Sequence, residues 1–153
     1  MFGLQIRYLS FFIGLISILS FFNILYSYYL NLYLNLDIYY WSFTISFIVS
    51  IIFYKVGVTE KKPSIYSKIL TVFSGYILIP LILSIPFYFS IYNLTFLNSF
   101  FESISGFTST GFTIFENIKH IDQSLILWRS STQWIGVLYF LFSIIFLIDI
   151  YDE

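Results

Sequence analysis

Apolar residues run along this chain in long blocks separated by short polar stretches. Windows of about 20 mostly apolar residues, the length that crosses a bilayer, pick out Tyr8–Leu30, Ile38–Tyr54, Ile69–Ile91 and Ser124–Ile148. Four transmembrane helices are predicted. The second is the shortest, with Trp41 and Tyr54 suited to its two interfaces. The last, at 25 residues, makes a helix about 37 Å long at 1.5 Å per residue, enough to span with tilt. Leu4–Leu30 carries a basic residue, Arg7, as a secretory signal would. Its apolar run is too long for one and no small-x-small cleavage site follows, so it reads as a retained span. Pro80 and Pro86 lie inside the third block. Each removes a backbone donor and is expected to bend or end the helix there, as a packing kink.

Between the third and fourth blocks the pattern changes. "FLNSFFESISGF" (residues 96–107) is too apolar for a solvated loop and too short to cross a membrane. Ser99-x-x-Glu102 reads as a capping box, with Asn98 as another candidate cap, which predicts a short helix entering the bilayer part-way. "TSTGFT" (108–113) follows at once and has neither helical nor strand periodicity. Non-helical backbone at membrane depth is tolerated only inside protein or beside a water-filled cavity. The predicted order is therefore span, re-entrant helix, extended polar strand, span.

A cation sheds its water only where oxygens replace the hydration shell, as rings of backbone carbonyls do in potassium channels. Such a strand needs small residues, and a glycine where backbone angles become ones that most residues resist. Gly111 meets that need, and Thr108, Ser109 and Thr110 supply carbonyls and hydroxyls before it. Gly106 falls at the end of the short helix, where glycine is a common terminator, and is expected to be the more tolerant of the two glycines. On these residues alone two readings stay open: a carbonyl-lined ion path, or a membrane loop of the common Thr- and Gly-containing kind.

Composition narrows the class. The 153 residues are 59% hydrophobic and only 10% charged, where a soluble domain carries roughly a quarter; the solvent must be lipid. A net charge of −1 gives no reason to expect nucleic acid as a partner. The absence of cysteine excludes disulfides, thiolate metal sites and cysteine nucleophiles. The 24% aromatic content adds little, since Phe, Ile, Tyr and Asn are also what AT-rich DNA encodes. No nucleophile–base–orienter set, phosphate-binding glycine loop or cofactor motif is present, so neither an enzyme nor a cofactor is expected. His120 is the single histidine, reads as a surface residue, and implies no metal site.

Charge placement sets the expected orientation. Lys55, Lys61, Lys62 and Lys68 crowd into one connection, whereas residues 31–37 hold no basic residue. The positive-inside rule puts 55–68 and both termini in the cytoplasm, and 92–123 outside. Arg7 agrees; Lys119 and Arg129 oppose. Glu102 and Arg129 are the opposite charges expected to share the outer half of the last segment. An ionisable residue in a membrane is costly and by default paired, so they read as a structural ion pair, with direct attraction of cations by Glu102 as the alternative. Asp149, Asp152 and Glu153 read as the solvated end of the last helix or the start of a further loop.

"NLTFLNSFFESISGFTSTGFT" (93–113) followed by "LILWRSSTQWIG" (125–136) resembles the first pore repeat of the Trk/Ktr/HKT potassium transporters of the bacterial TrkH type. "SIPFYFS" (84–90) and "EKKP" (60–63) fit the same alignment, and the two leading spans match the extra amino-terminal hairpin of TrkH-type members. The resemblance implies an all-α integral membrane fold. Residues 1–65 would form the hairpin and cytoplasmic loop, and 66–153 the first helix–pore helix and filter strand–helix repeat. Family members carry four such repeats, each donating one filter strand with one key glycine. Carried onto this chain, the filter residues are Thr108, Ser109, Thr110, Gly111 and Phe112, with potassium met through Thr110 and Gly111.

The implied role is potassium uptake across the bacterial plasma (inner) membrane, with K+ as the transported ion. The implied partners are membrane lipid, the remaining pore repeats, and a cytosolic nucleotide-binding regulatory subunit of the TrkA type. Two departures from the family pattern stand out. After "QWIG" the family continues with further glycines, where this chain has Val137-Leu138-Tyr139. The 153 residues also hold a single repeat, so a truncated or split member is expected. The competing expectation is a non-conducting membrane protein that keeps the repeat as an assembly module.

Overall fold

The computed structural model describes residues 5–57, 64–117 and 120–148. Six helices follow in order: α1 Ile6–Tyr29, α2 Leu36–Val56, α3 Ile65–Leu83, α4 Ile85–Tyr88, α5 Phe96–Phe107 and α6 Gln123–Ile148. Among the described residues there is no β-strand. Among the described residues, four segments are long and apolar enough to cross a membrane: α1, α2, the α3–α4 pair and α6. They coincide with the four predicted blocks. The second helix, at 21 residues, is longer than its block and reaches about 31 Å at 1.5 Å per residue. Asp37 in its first turn and Lys55 in its last end a hydropathy window early, yet each sits where its charge complements the helix dipole.

The path of the third segment breaks at Ser84, between α3 and α4. Pro80 lies within α3, whereas Pro86 stands in the first turn of α4. The helix thus continues through the first proline and is interrupted just ahead of the second. Carbonyls beside the break find other donors. Ser103 Oγ donates to the Pro80 carbonyl at 2.8 Å, and Trp128 Nε1 donates to that of Leu83 at 3.1 Å. The break therefore ties α3 to both α5 and α6.

The hairpin of α1 and α2 turns through Asn31, whose φ is +56°. The Asn31 and Leu32 amides donate back to the carbonyls of Tyr28 and Ser27, the left-handed ending that Asn tolerates. Small residues let the two helices approach, as membrane helices require. Ser20 and Ser42 share a hydrogen bond at 3.1 Å, and Ser50 Oγ donates to the Ser10 carbonyl at 2.8 Å.

A polar cluster joins the hairpin to the rest. Asn35 Nδ2 donates to Asp122 Oδ2 at 3.0 Å, and Ser124 Oγ donates to the same oxygen. Tyr39 Oη pairs with Ser124 Oγ at 3.0 Å, and Asn23 Nδ2 donates to the Ser124 carbonyl at 3.2 Å.

Tyr139, one of the departures noted above, fills the centre of the bundle. Its ring is fully buried against Phe12, Tyr76 and Phe107, with centroids 4.8, 5.2 and 5.5 Å away. Its hydroxyl donates to the Val72 carbonyl at 2.9 Å. Gly75 of α3 leaves the space, since a Cβ there would overlap the phenol oxygen. Where a further glycine would have permitted a close helix contact, this chain has a large ring facing a glycine on the opposite helix.

Candidate functional site

Helix α5 begins at Thr95, whose Oγ1 accepts from the Asn98 amide at 3.3 Å. Neither Ser99 nor Asn98 is the cap, which corrects the expected capping box. Ser99 is already helical and donates its hydroxyl to the Thr95 carbonyl at 3.0 Å. Glu102 cannot reach back to the helix start because its carboxylate is turned the other way.

Helix α5 ends at Phe107, as its segment predicts, but Gly106 is not what terminates it. Gly106 lies within the helix, and the left-handed residue that ends it is Ser109, with φ +56°. The Ser109 amide donates to the Gly106 carbonyl at 2.9 Å and the Thr110 amide to that of Ser105 at 3.1 Å. These two bonds form the doubled termination known from glycine-ended helices. Gly106 is there for packing. A Cβ on it would overlap Thr132 Oγ1 of α6, so a substitution there is a matter of helix packing and not of helix termination. Gly136 on α6, which no local pattern singles out, is tighter still: a Cβ there would overlap the Phe107 carbonyl oxygen and lie 2.8 Å from Phe107 Cα. Small residues inside an apolar helix are the sequence sign of such approach.

Beyond α5, residues 108–112 are all exposed. The backbone here is not a continuous extended strand: Ser109 is left-handed and Gly111 has φ +80°. That φ is what demands glycine, since nothing lies within 4 Å of the position a Cβ would take. The threonine hydroxyls turn back onto the helix end. Thr108 Oγ1 donates to the Ile104 carbonyl at 2.8 Å, and Thr110 Oγ1 donates to that of Ser105 at 3.2 Å. Ser105 Oγ holds the far side of the loop through the Phe112 carbonyl at 2.6 Å. Among the described residues no hydrogen bond ends on the carbonyls of Thr108, Ser109 or Thr110. These oxygens stand beside the carboxyl end of α5, the end that carries the negative pole of a helix dipole.

Two charges lie behind this loop. Arg129 Nε is 2.8 Å from Glu102 Oε1, with side-chain exposures of 12% and 0%. The contact is charge pairing rather than a linear hydrogen bond, because the Nε–H finds no acceptor along its own axis. Each partner also grips the loop. Glu102 accepts from Thr113 Oγ1 at 3.0 Å and from the Ile114 amide at 3.1 Å. Arg129 Nη2 donates to the Gly111 and Phe112 carbonyls at 3.3 and 3.4 Å. The structure thus brings Glu102, Arg129 and residues 111–114 together, joining α5 to α6 through the loop. His120 is exposed and apart from this group. Asp149, Asp152, Glu153, Lys61, Lys62 and Lys119 lie outside the described residues.

Comparison with known proteins gives partial similarities. No family model matches the chain, and no solved structure matches it. Over 53 residues it is 40% identical to an uncharacterized cation transporter of Methanocaldococcus jannaschii, covering 35% of this chain and 11% of that protein. Over 63 residues it is 38% identical to the Trk system potassium uptake protein TrkI of Halomonas elongata, covering 41% and 12%. Over 104 residues it is 30% identical to the Trk system potassium uptake protein TrkG of Escherichia coli, covering 62% and 21%. The chain spans about a fifth or less of the length of these relatives. With four long apolar helices and these similarities, it is a multi-pass membrane protein resembling in part the potassium uptake proteins of the Trk system.

Proposed function

We propose that the chain supplies one pore repeat of a Trk-type potassium pathway in the plasma membrane. In this reading α5 is the re-entrant pore helix and residues 108–112 form one side of the ion path. The observation that carries it is the exposed run Thr108–Thr110, on whose carbonyls no hydrogen bond ends among the described residues, set at the negative end of α5 and followed by residues 111–114, which Glu102 and Arg129 hold. Potassium would meet the Thr108–Thr110 carbonyls first. The Gly111 carbonyl is shared with Arg129, so Gly111 acts through its backbone angle as much as through its oxygen.

One such run cannot surround an ion, and carbonyl filters use a ring of loops. Companion repeats, in the same protein or in other chains, would cover the exposed loop residues 108–112, Phe112 among them. A cytosolic nucleotide-binding subunit of the TrkA type is the regulatory partner this reading implies. The names of the two uptake proteins above support potassium as the ion.

The test is rubidium and sodium uptake in cells lacking other potassium transporters, with the companion repeats present and uptake normalised to inserted protein. Gly111→Ser is expected to lower the rubidium-to-sodium ratio while insertion persists. An unchanged ratio removes Gly111 from the filter and the pore reading with it.

A further inference from the structure

A pocket of about 300 Å³ opens beside the carboxyl end of α5. That volume is at the lower limit of the roughly 300–1,000 Å³ of sites that hold a small organic molecule. Helices α3, α5 and α6 each supply one ring to it: Tyr76, Phe107 and Phe140. Tyr76 and Phe107 stand edge to face, with centroids 5.6 Å apart and planes at 75°, so they meet as two adjoining walls. Phe107 is buried and Phe140 half exposed, which places the first at the back and the second at the mouth. Thr108 and Ser109 line the pocket as well. Among the described residues no hydrogen bond ends on their carbonyls, and they continue the helix end that carries the negative pole of the α5 dipole. No charged side chain is part of the lining.

We infer that this pocket is a binding site for a small quaternary ammonium ion. Three features select that occupant. Aromatic rings attract cations to their faces, and clusters of rings are the usual receptors for quaternary ammonium groups. The two free carbonyls and the helix pole add negative potential on one side, which a neutral molecule or an acyl chain would leave unused. The rest of the lining is apolar, and this decides between kinds of cation. A primary ammonium brings three donors, and a donor left unmet in such a place is costly; a quaternary nitrogen has none. An inorganic cation is at the same disadvantage, since oxygens must replace its hydration shell on every side. The inference stands apart from the ion-path reading, because it needs only α3, α5 and α6 of this one chain and no companion repeat.

The experiment is equilibrium dialysis of the 153-residue chain in a nonionic detergent against radiolabelled tetraethylammonium, with protein-free micelles as the blank. The competitors are unlabelled tetraethylammonium, a primary alkylammonium, and the hydrocarbon isostere in which carbon replaces the nitrogen. Saturable binding is expected, with the unlabelled ion displacing the label at a concentration on the order of tenfold below that of the hydrocarbon, as one desolvated ring contact provides. Phe140→Leu keeps an apolar wall but removes a ring face, and should weaken binding of the ion by about fivefold while leaving the hydrocarbon nearly unchanged. Val137 also lines the pocket, and Val137→Trp should fill it and abolish saturable binding. Leu141→Trp, on an exposed residue of the same helix outside the lining, should not. Val137 and Phe140 are both about half exposed, so the helical signal should persist in each variant. Equal displacement by ion and hydrocarbon overturns the proposal, because the pocket would then accept any apolar group, an acyl chain included. So does displacement by the primary ammonium as effective as by the quaternary ion, binding that survives Val137→Trp, an ion affinity unmoved by Phe140→Leu, or no saturable binding at all.

Discussion

Consider what a single methyl group does at each of the three glycines near the loop. At Gly136 it would overlap a backbone carbonyl and stand 2.8 Å from Phe107 Cα. Carbon atoms prefer about 3.5–4.0 Å, and the carbonyl atoms of Phe107 lie closer still than its Cα, so α5 and α6 would have to separate by more than about 1 Å. Overpacking of this sort costs about 1–3 kcal/mol, occasionally more. With only backbone to move, Gly136→Ala belongs at or above the top of that range. At Gly106 the obstacle is a side chain. Thr132 would have to swing its hydroxyl away from the Arg129 carbonyl, abandoning a 2.7 Å bond worth about 1 kcal/mol. Thr132 Cβ, at 3.2 Å, adds a small shift. Gly106→Ala should cost about 1–2 kcal/mol. At Gly111 the space is open, and only the left-handed backbone resists, by about 1–2 kcal/mol.

Rescue separates these causes better than size does. Thr132→Ala removes the atom that obstructs Gly106, so the double variant should recover most of the loss from Gly106→Ala, a favourable coupling of about 1 kcal/mol. The same Thr132→Ala change should do nothing for Gly136→Ala or Gly111→Ala. The assay is reversible unfolding in mixed micelles, following helical signal against denaturing detergent. If Gly106→Ala costs nothing, or if Thr132→Ala rescues all three alike, the close approach of α5 and α6 is not as described.

Two further outcomes are expected. Arg129→Gln leaves the buried Glu102 carboxylate without its counter-charge and should cost about 3 kcal/mol or more, whereas Glu102→Gln combined with Arg129→Gln should recover much of it; equal losses in the single and double variants would show that the pair does not act as a unit. For orientation, a cysteine at Lys61 should resist an impermeant external thiol reagent and one at Asn93 should react; the reverse pattern overturns the lysine-based topology.

The long helices were legible because apolar burial in lipid sums over a window, whatever each residue touches. The helix ends were less so. Asp37 and Lys55 lengthen α2 beyond its hydropathy block because they suit the dipole, an effect of position rather than of hydropathy. Ser99 and Glu102 have the spacing of a capping box, yet Thr95 is a competent cap four residues earlier. Spacing alone cannot tell which of two good caps the chain will use. That Glu102 and Arg129 should meet followed from the expense of an unpaired charge in a membrane. That the carboxylate also holds the Ile114 amide, and the guanidinium the Gly111 carbonyl, depends on how the loop folds back, which no local pattern encodes.

The glycines show where sequence reading stops. A glycine is written with one letter whether it is needed for its backbone angle or for its missing Cβ. Gly111 was legible because the reason for it is local: small polar neighbours on both sides suggest an irregular backbone, and φ is +80° there. Gly106 was misread because its position near a helix end made termination the nearest local explanation. Its actual reason lies 26 residues away, at Thr132. Ser109 takes the left-handed position instead, at a cost that its two returning amide bonds offset. Gly136 has the same kind of distant reason, in the Phe107 carbonyl. Both contacts set how closely α6 approaches the end of α5, and hence where Arg129, one turn before Thr132, can reach. The loop that offers its carbonyls is therefore placed by two glycines outside it as well as by the one within.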